Sequence, residues 1–355
     1  MALAQRLKSY SDTVVVALDV TGSIATFLEA VLTGEGLALV HVPGLAVNRA
    51  GQGYAGGERK SDPRDARTIA DLARTRPGLR PILRGEATTV ALRLLVSRRG
   101  DLVVDQTRRL SRLRQLLSQV HPGLERALDV TNKAPLALLT RFVTPAEIRA
   151  AGARRIAAHL DRTPHLRDTK ALAEEVVGIA KTQTIAVPGE AVAAAILREL
   201  AAEALAAKAR IAAIDRDLEG LLAAHPDGTL IRSLPGMGVV LAAELIANLG
   251  TITRFASADA LAAAAGLAPV LRQSGRSRTL RRAKGADKAL KRALFQSVFC
   301  AVMTRDPTSL AFYQRKRREG KLHTQAIIAL ARRRVSVLWA MLRTREPFRP
   351  TQMAA

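Results

Sequence analysis

The feature that most constrains the fold of this chain is an apolar stripe that runs through residues 189–224. Its members alternate spacings of three and four residues over about three heptads, which puts them on one face of a long helix. They are Leu197, Leu200, Ala204, Ala207, Ile211, Ile214, Leu218 and Leu221. Another helix has to cover this stripe, because apolar surface left in water is unfavourable. The partner is either a second copy of the chain, in a coiled coil, or a helix of the same chain, in a helical hairpin.

A second long helical pattern covers residues 86–122. Its apolar seam includes Val103, Leu113 and Val120, while arginines occupy much of the remaining surface. Between the two long patterns, residues 123–188 are helical in character and are punctuated by proline. The sequence therefore predicts a helical, coiled-coil linker over residues 83–225, with a folded segment on either side.

The chain is strongly basic. Its 355 residues have a formal net charge of +24, and the isoelectric point is about 11.4. An excess of this size predicts a polyanionic partner, either nucleic acid or an anionic membrane. No apolar run approaches the roughly 20 residues of a membrane span, and aromatic residues make up only 3% of the chain. Binding to nucleic acid through its backbone is therefore favoured over a membrane and over a base-stacking surface.

Cysteine usage indicates a reducing compartment. Cys300 is the single cysteine, so neither an internal disulfide framework nor a cysteine zinc site is available. The first residues also lack the apolar core of a signal peptide. We therefore expect a cytoplasmic protein. The Ala- and Arg-rich composition indicates a GC-rich bacterial genome, in which case the protein would join the nucleoid when bound to DNA.

The basic residues concentrate in residues 271–345, where twenty Lys and Arg stand against three Asp and Glu. Apolar faces persist there, as at Leu290, Leu294 and Val298, so we expect a folded basic domain over residues 226–355 and not a tail. Ser274 lies in what reads as a basic loop. The side chains expected to bind nucleic acid are Arg272, Arg276, Arg278, Arg281, Arg282 and Lys284.

The segment SLPGMGVVLAAELIANLG, residues 233–250, has a Gly-x-Gly turn between two helical stretches. Such a turn is typical of a helix–hairpin–helix, in which backbone N–H groups approach a DNA phosphate without an intervening side chain. Gly236 and Gly238 are the candidates for that contact. The alternative is a tight turn between helices that binds nothing.

The first 82 residues follow a strand–helix–strand–loop–helix order. The runs TVVVALD (13–19) and LALVHVPG (37–44) predict two strands, with an amphipathic helix between them. This order predicts an α/β unit with a parallel strand pair. Ligands of such sheets gather beyond the carboxyl ends of the strands, which is where Asp19 lies.

Two more carboxylates, Asp62 and Asp65, open the next helix in the stretch KSDPRDARTIADLA (60–73). One interpretation is structural: Asp62 is the N-cap, Pro63 the first helical residue, and Asp65 the acid of a capping box. The other is chemical, since residues three apart share a helix face and two carboxylates there can bind Mg²⁺. Asp19 would then approach as a third ligand, with the cation offsetting the repulsion between the acids.

Five motifs, taken in order, resemble those of the DEDD-type insertion-sequence transposases, also known as bridge-RNA-guided recombinases. They are ALDVTG with Asp19, KSDPRDA with Asp62 and Asp65, SLPGMG, AAAAGLAPVLRQSG with Ser274, and FYQRKRREGKLHTQAIIALARRRVSVLW. The resemblance covers nearly the whole chain. Any one motif is weak, but their order around a long helical linker makes the set specific.

The resemblance implies a two-part enzyme. Its N-terminal part is a partial RNase H-like (RuvC-like) domain, in which Asp19, Asp62 and Asp65 match the second to fourth acids of the D-E-D-D pattern and hold Mg²⁺. Its C-terminal, mostly α-helical transposase domain supplies Ser274, which attacks a DNA phosphodiester. Asp19, Asp62, Asp65 and Ser274 are therefore the expected catalytic residues. The resemblance further implies a homo-oligomer, a dimer or tetramer joined through the coiled coil, and a structured guide RNA that pairs with DNA.

The sequence departs from the family pattern near its start. The first acid has no counterpart, because the twelve residues before Thr13 read as the end of a helix, and the second acid is Asp19 where glutamate is usual. Loss of one of the four carboxylates is expected to weaken metal binding. We therefore expect impaired cleavage by the chain as written.

Three functions compete on this sequence. The leading prediction is a DNA transposase or recombinase that uses the acids and the serine. The second is a transposase relic that binds nucleic acid without cutting it, and the third is a structure-selective nuclease that uses the acids alone. Substitution of Ser274 separates the first from the third, because only the transposase needs the hydroxyl.

Overall fold

The computed structural model describes residues 2–21, 23–53, 61–82, 86–281, 283 and 285–350. The chain forms two compact units, Met1–Glu86 and Ala87–Ala355. Within the described residues, no helix is both long and apolar enough to cross a membrane. The division into three parts at residues 82 and 225 stays a prediction.

The first unit is a small α/β unit, as the sequence predicts. Its elements are α1 (Ala2–Lys8), β1 (Val15–Leu18), α2 (Thr26–Gly34), β2 (Ala38–His41), α3 (Gly44–Gln52), α4 (Asp62–Thr75) and β3 (Arg80–Pro81). A short 3₁₀ turn, Ser23–Ala25, precedes α2. The core is correspondingly small, and Ala4, Leu32, Leu37 and Leu39 form its buried cluster.

The sheet of this unit has the order β1-β2-β3. β1 and β2 are parallel, with Val15 opposite Ala38, which confirms the predicted parallel pair. β3 was not predicted, and it adds an antiparallel edge through Arg80 opposite His41. α4 packs against β1, so the helix that carries Asp62 and Asp65 contacts the strand that Asp19 follows.

The second unit is mostly helical. Its elements are α5 (Ala87–Val120), α6 (Pro122–Ala127), α7 (Lys133–Leu139), α8 (Pro145–Leu160), α9 (Thr169–Thr182), α10 (Glu190–Ala224), α11 (Gly228–Arg232), α12 (Val239–Leu249), α13 (Ala258–Ala264), β4 (Val270–Ser274), β5 (Ser277–Arg281), α14 (Lys288–Met303), α15 (Pro307–Arg318) and α16 (His323–Thr344). A 3₁₀ turn, Ile252–Arg254, lies between α12 and α13. The predicted long helices match α5 and α10.

The stripe on α10 is covered by α5 of the same chain, so the helical-hairpin alternative is the one that the structure shows. The two helices are antiparallel, because residues later in α5 contact residues earlier in α10. Arg99 Nε lies 2.5 Å from Asp215 Oδ1, and the Arg109 Nε to Glu203 Oε2 distance is 2.7 Å. Between them the buried Gln106 amide donates to the Ala204 carbonyl at 3.2 Å.

The long helix pair joins two hydrophobic cores. Near the end of α5 and the start of α10, Leu117 and Leu197 belong to a core built with α6–α9. At the opposite ends, Leu92 and Leu218 belong to a core built with α11–α14 and α16. Each long helix therefore contributes to both cores, which is why residues 87–355 form one compact unit.

Helix α12 lies at the centre of the C-terminal core. Seven of its eleven residues are buried and the other four are half-buried, and it packs against α5, α10 and α14. A helix apolar on all sides is stable only when it is enclosed. Arg93 of α5 satisfies one carbonyl near its C-terminal end by donating Nε–H and a second N–H to the Ala247 oxygen, at 3.1 and 2.8 Å.

Candidate functional site

The acids at the start of α4 do not cap the helix. Ser61 is the N-cap, with extended backbone (φ −154°, ψ 146°), and Asp62 is the first helical residue. No side chain accepts a capping hydrogen bond at this end, so the predicted N-cap role of Asp62 and the capping box of Asp65 are wrong. The reason is a register difference of one residue, because Ser61 takes the cap position and moves both acids into the first turn.

Both α4 carboxylates and Asp19 are accessible. Asp62 and Asp19 are exposed and Asp65 is half-buried. Asp19 lies in the bend directly after β1. Within the described residues, none of the three has a hydrogen-bond or ion-pair partner for its side chain. As free oxygen donors they are of the type that Mg²⁺ prefers.

The structure does not bring the three acids together as a metal centre. Among the described residues, no group of three His, Cys, Asp or Glu lies close enough to hold a metal ion. Asp62 and Asp65 lie on α4, and Asp19 directly follows β1, which α4 contacts, but the three carboxylates do not converge. Like charges favour separation unless a cation offsets their repulsion.

Ser274 lies at the end of a strand and not in a loop, which corrects the sequence prediction. It is the last residue of β4, paired with Ser277 at the start of β5, and the turn between them consists of Gly275 and Arg276. Gly275 has φ +56°, as a type II′ hairpin turn requires of its first central residue. A two-residue loop with glycine between β-type runs is a hairpin signal that the sequence contained.

The hairpin carries four of the six side chains predicted to bind nucleic acid, all in exposed positions. Arg272 is on β4, Arg276 is in the turn, and Arg278 and Arg281 are on β5. All four residues are exposed, as is Ser274. Arg282 and Lys284 lie outside the described residues.

The Gly-x-Gly turn joins α11 to α12. Gly236 has φ +73°, and a Cβ there would lie 2.2 Å from the Ser297 carbonyl oxygen and 2.6 Å from the Ala301 nitrogen. Glycine at this position is therefore required by close packing on α14. Gly238 is the exposed N-cap of α12, and a Cβ there would have no atom within 4 Å. Open approach to the backbone exists at Gly238.

A buried arginine that sequence reasoning missed lies under this turn. The Arg334 guanidinium of α16 donates to the Pro235 carbonyl oxygen and to Ser309 Oγ, the latter at 3.1 Å. It is 5% exposed, and burial lowers its pKa to about 10, so it stays charged at neutral pH. In the sequence it is the last of three consecutive arginines, and only its neighbours in space distinguish it from the others.

A second buried charge lies on α12. Glu244 is 2% exposed, and its Oε1 accepts from Arg292 Nε of α14 at 2.9 Å. Burial raises the pKa of Glu244, while the Arg292 guanidinium acts in the opposite direction. This ion pair links α12 to α14, the helix against which Gly236 also packs.

Comparison with known proteins gives matches at both ends of the chain. A DEDD transposase family of the IS110 type, described as "Transposase", matches residues 1–122. A second, described as "Transposase IS116/IS110/IS902 family", matches residues 228–314. These matches cover the acids of the first unit and Ser274 with its hairpin.

Relatives match along nearly the full length. The 42 kDa protein of insertion element IS900 from Mycobacterium paratuberculosis is 42% identical over 96% of this chain and 85% of its own length. The 44.8 kDa protein of IS116 from Streptomyces clavuligerus is 41% identical over 94% and 84%. The chain belongs to the IS110/IS116 family of insertion-element transposases. A mini-circle putative transposase for IS117 from Streptomyces coelicolor is 28% identical over 98% of this chain and 85% of its own length.

Family membership confirms the predicted resemblance and accounts for the basic composition. Transposases act on DNA, and the family generally uses a divalent metal ion.

Proposed function

We propose that this family member cleaves and rejoins DNA strands through a covalent serine–DNA intermediate formed by Ser274. The observation that carries the proposal is the place of Ser274 at the exposed tip of the β4–β5 hairpin. Residues 270–281 contain four arginines and no acidic residue. An exposed hydroxyl on a hairpin that carries four arginines and no acidic residue is well placed for attack on a phosphate.

In the proposed step the Ser274 hydroxyl loses its proton and its oxygen attacks a DNA phosphorus. The Oγ–P bond forms and the bond to the neighbouring 3′ oxygen breaks, which leaves a free 3′ hydroxyl and a serine joined to the 5′ phosphate. A 3′ hydroxyl from another strand then displaces Oγ and regenerates the serine. Each step exchanges one phosphate ester for another, so the strand is rejoined without ATP. Arg272 and Arg276, two residues before and after the serine, stabilise the negative charge on the transferring phosphate.

The metal ligands in this proposal are Asp19, Asp62 and Asp65, with Mg²⁺ as the cofactor. Their carboxylates stand apart among the described residues, so an ion would have to draw them together. The support for the proposal is the hard oxygen donor set and the absence of competing partners among the described residues. When bound, the ion supplies Lewis-acid polarisation of the phosphate. The positive end of α4 partly offsets the charge of its two acids in the free protein.

Guide RNA and self-association complete the proposal. A protein directed by RNA pairing needs contacts to the shape and backbone of the nucleic acid, which fits a net charge of +24 with few aromatic residues.

Since α5 covers the α10 stripe, a dimer or tetramer would use other faces of these helices. Leu94 on α5 and Val192 on α10 are each 67% exposed and are candidates for such contacts.

The first test is a covalent-adduct assay. The full chain is mixed with Mg²⁺, flanking RNA of its element and matching DNA, and protein joined to a DNA 5′ end is sought on a denaturing gel. Ser274→Ala should abolish the adduct, whereas Ser277→Ala, which changes the cross-strand neighbour at the same tip, should retain it. Asp65→Asn should also abolish it, whereas Asp71→Asn, farther along α4, should not.

Each result of this assay selects one function. An adduct lost in Ser274→Ala supports the transposase. Strand cleavage that survives Ser274→Ala supports a nuclease that uses the acids alone, and tight binding without cleavage supports a relic. The expectation of impaired cleavage has no support among the relatives and stays a prediction, which a wild-type adduct formed in high yield would contradict.

A further inference from the structure

The β4–β5 ribbon is exposed along its whole length. All ten strand residues are exposed, so neither face is covered by the core of its unit. An isolated two-stranded hairpin is only marginally stable in water. Here the tight Gly275 turn and the directly opposed side chains of Leu271 and Leu280 hold it together. A ribbon so exposed and so basic fits a polyanionic partner.

The strand register divides the ribbon into two different faces. Directly opposed residues share a face, and successive pairs alternate between faces. Ser274 pairs with Ser277, Arg272 with Thr279, and Val270 with Arg281 on one face, which we call the serine face. Leu271 pairs with Leu280, and Gln273 with Arg278, on the other, which we call the leucine face.

The two faces differ in chemistry. The serine face carries two guanidinium groups and three hydroxyls, which are the kinds of side-chain group that proteins use to contact phosphate oxygens. The leucine face carries the opposed Leu271 and Leu280 side chains, 43% and 69% exposed, and a single arginine, Arg278, in the next pair. Arg272 precedes Ser274 by two residues, or about 6.8 Å along the strand. An extended arginine side chain spans that distance to a phosphate at the serine.

We infer that the ribbon binds DNA by its serine face only, with Arg272 on the phosphate that Ser274 attacks and Arg281 on a phosphate farther along the same strand. Arg278 points away from the DNA backbone and makes no phosphate contact. The inference rests on the proposed function for the identity of the attacked phosphate. The assignment of faces rests on the register alone. It separates strand arginines that the sequence presents as equivalent.

Salt dependence of DNA binding tests the assignment with a matched pair of variants. Arg272→Ala and Arg278→Ala each remove one exposed cation from adjacent pairs of the same ribbon. The affinity of the full chain for a labelled DNA duplex is measured without Mg²⁺ between about 50 and about 200 mM salt. Arg272→Ala and Arg281→Ala should each lower the slope of log affinity against log salt by about one. Arg278→Ala should leave the slope unchanged.

Two outcomes overturn the inference. Equal loss of slope in Arg272→Ala and Arg278→Ala would show that both faces contact phosphate. If the slopes of Arg272→Ala and Arg278→Ala differ only when the ligand is an RNA duplex of the same sequence, the partner is RNA. Each variant should have the same thermal unfolding temperature as the wild type, which checks that the core is intact.

Adduct formation separates this inference from the proposed function. Arg272→Ala should slow the adduct by about a hundredfold, the loss typical of one removed oxyanion contact. Arg272→Lys should restore the salt slope but not the full rate, because lysine keeps the charge without the bidentate geometry. If the wild type forms no adduct while the slopes still differ by face, the nucleophile proposal fails and the face assignment stands. If Ser274→Ala abolishes the adduct while the slopes do not differ, only the face assignment fails.

Discussion

At the scale of the residue, the turn Pro235–Gly238 packs closely on α14 because residue 236 is a glycine and has no side chain. Gly236 fits against α14 only because it has no Cβ, and Arg334 holds the carbonyl of the preceding proline from below. These contacts fix the direction in which α12 begins. Gly238, at that start, is then presented to solvent.

Replacement of Gly236 by alanine should destabilise the chain strongly. The new Cβ would overlap the backbone of α14, and the φ of +73° would add strain. We expect a loss of about 2–4 kcal/mol in the free energy of unfolding, measured by urea denaturation. Gly238→Ala is the control, because its Cβ meets no atom within 4 Å. It should cost less than about 1 kcal/mol, and equal losses in the two variants would contradict the packing account.

At the scale of the element, the α5–α10 hairpin is the main support of the second unit. Its seam is closed within one chain by packing, by the buried Gln106 hydrogen bond and by ion pairs along its edges. The sequence pattern of three and four residues suits an intermolecular coiled coil equally well. Only the position of α5 decides between them.

Truncation in this seam should destabilise a single chain. Leu197→Ala empties a fully buried position and should cost about 2–5 kcal/mol. Its neighbour Ile196, 43% exposed, provides the control, and Ile196→Ala should cost less than about 1 kcal/mol. Because the seam is intramolecular, the effect of Leu197→Ala should not depend on protein concentration. A loss that grows on dilution would show that the seam joins two chains.

At the scale of the whole molecule, the chain divides where cores end and not where the sequence composition changes. The basic segment begins after residue 225, yet Leu92 and Leu218 lie in the same core as the helices that follow. A cut at residue 225 therefore passes through a core, whereas a cut at residue 86 separates two units.

Two fragments test this division. Residues 87–355 should fold with a cooperative thermal transition, because they contain both cores of the second unit. Residues 226–355 should expose the surface that α5 and α10 cover and should aggregate or unfold. Circular dichroism and sedimentation distinguish these outcomes. A cooperative, monomeric fragment 226–355 would support the predicted three-part division instead.

Much of the fold and part of the candidate site followed from local patterns. The parallel pair, the bounds of α5 and α10, and the family resemblance were predicted correctly, because side-chain periodicity and motif order are properties of the sequence itself. The hairpin at Ser274 was missed, since its basic residues obscured a strand pattern. The N-cap at Ser61 was missed because Ser61 and Asp62 are both good caps and differ by one position.

The sequence by itself determined the large basic charge, the two long amphipathic helices and the set of candidate acids and serine. The tertiary structure alone decided which helix covers the α10 stripe, why residue 236 must be glycine, and which arginines share a face with Ser274. Composition and periodicity depend on residues close together in the chain. Packing partners and strand register depend on contacts between distant residues, and many different pairings satisfy the same local pattern.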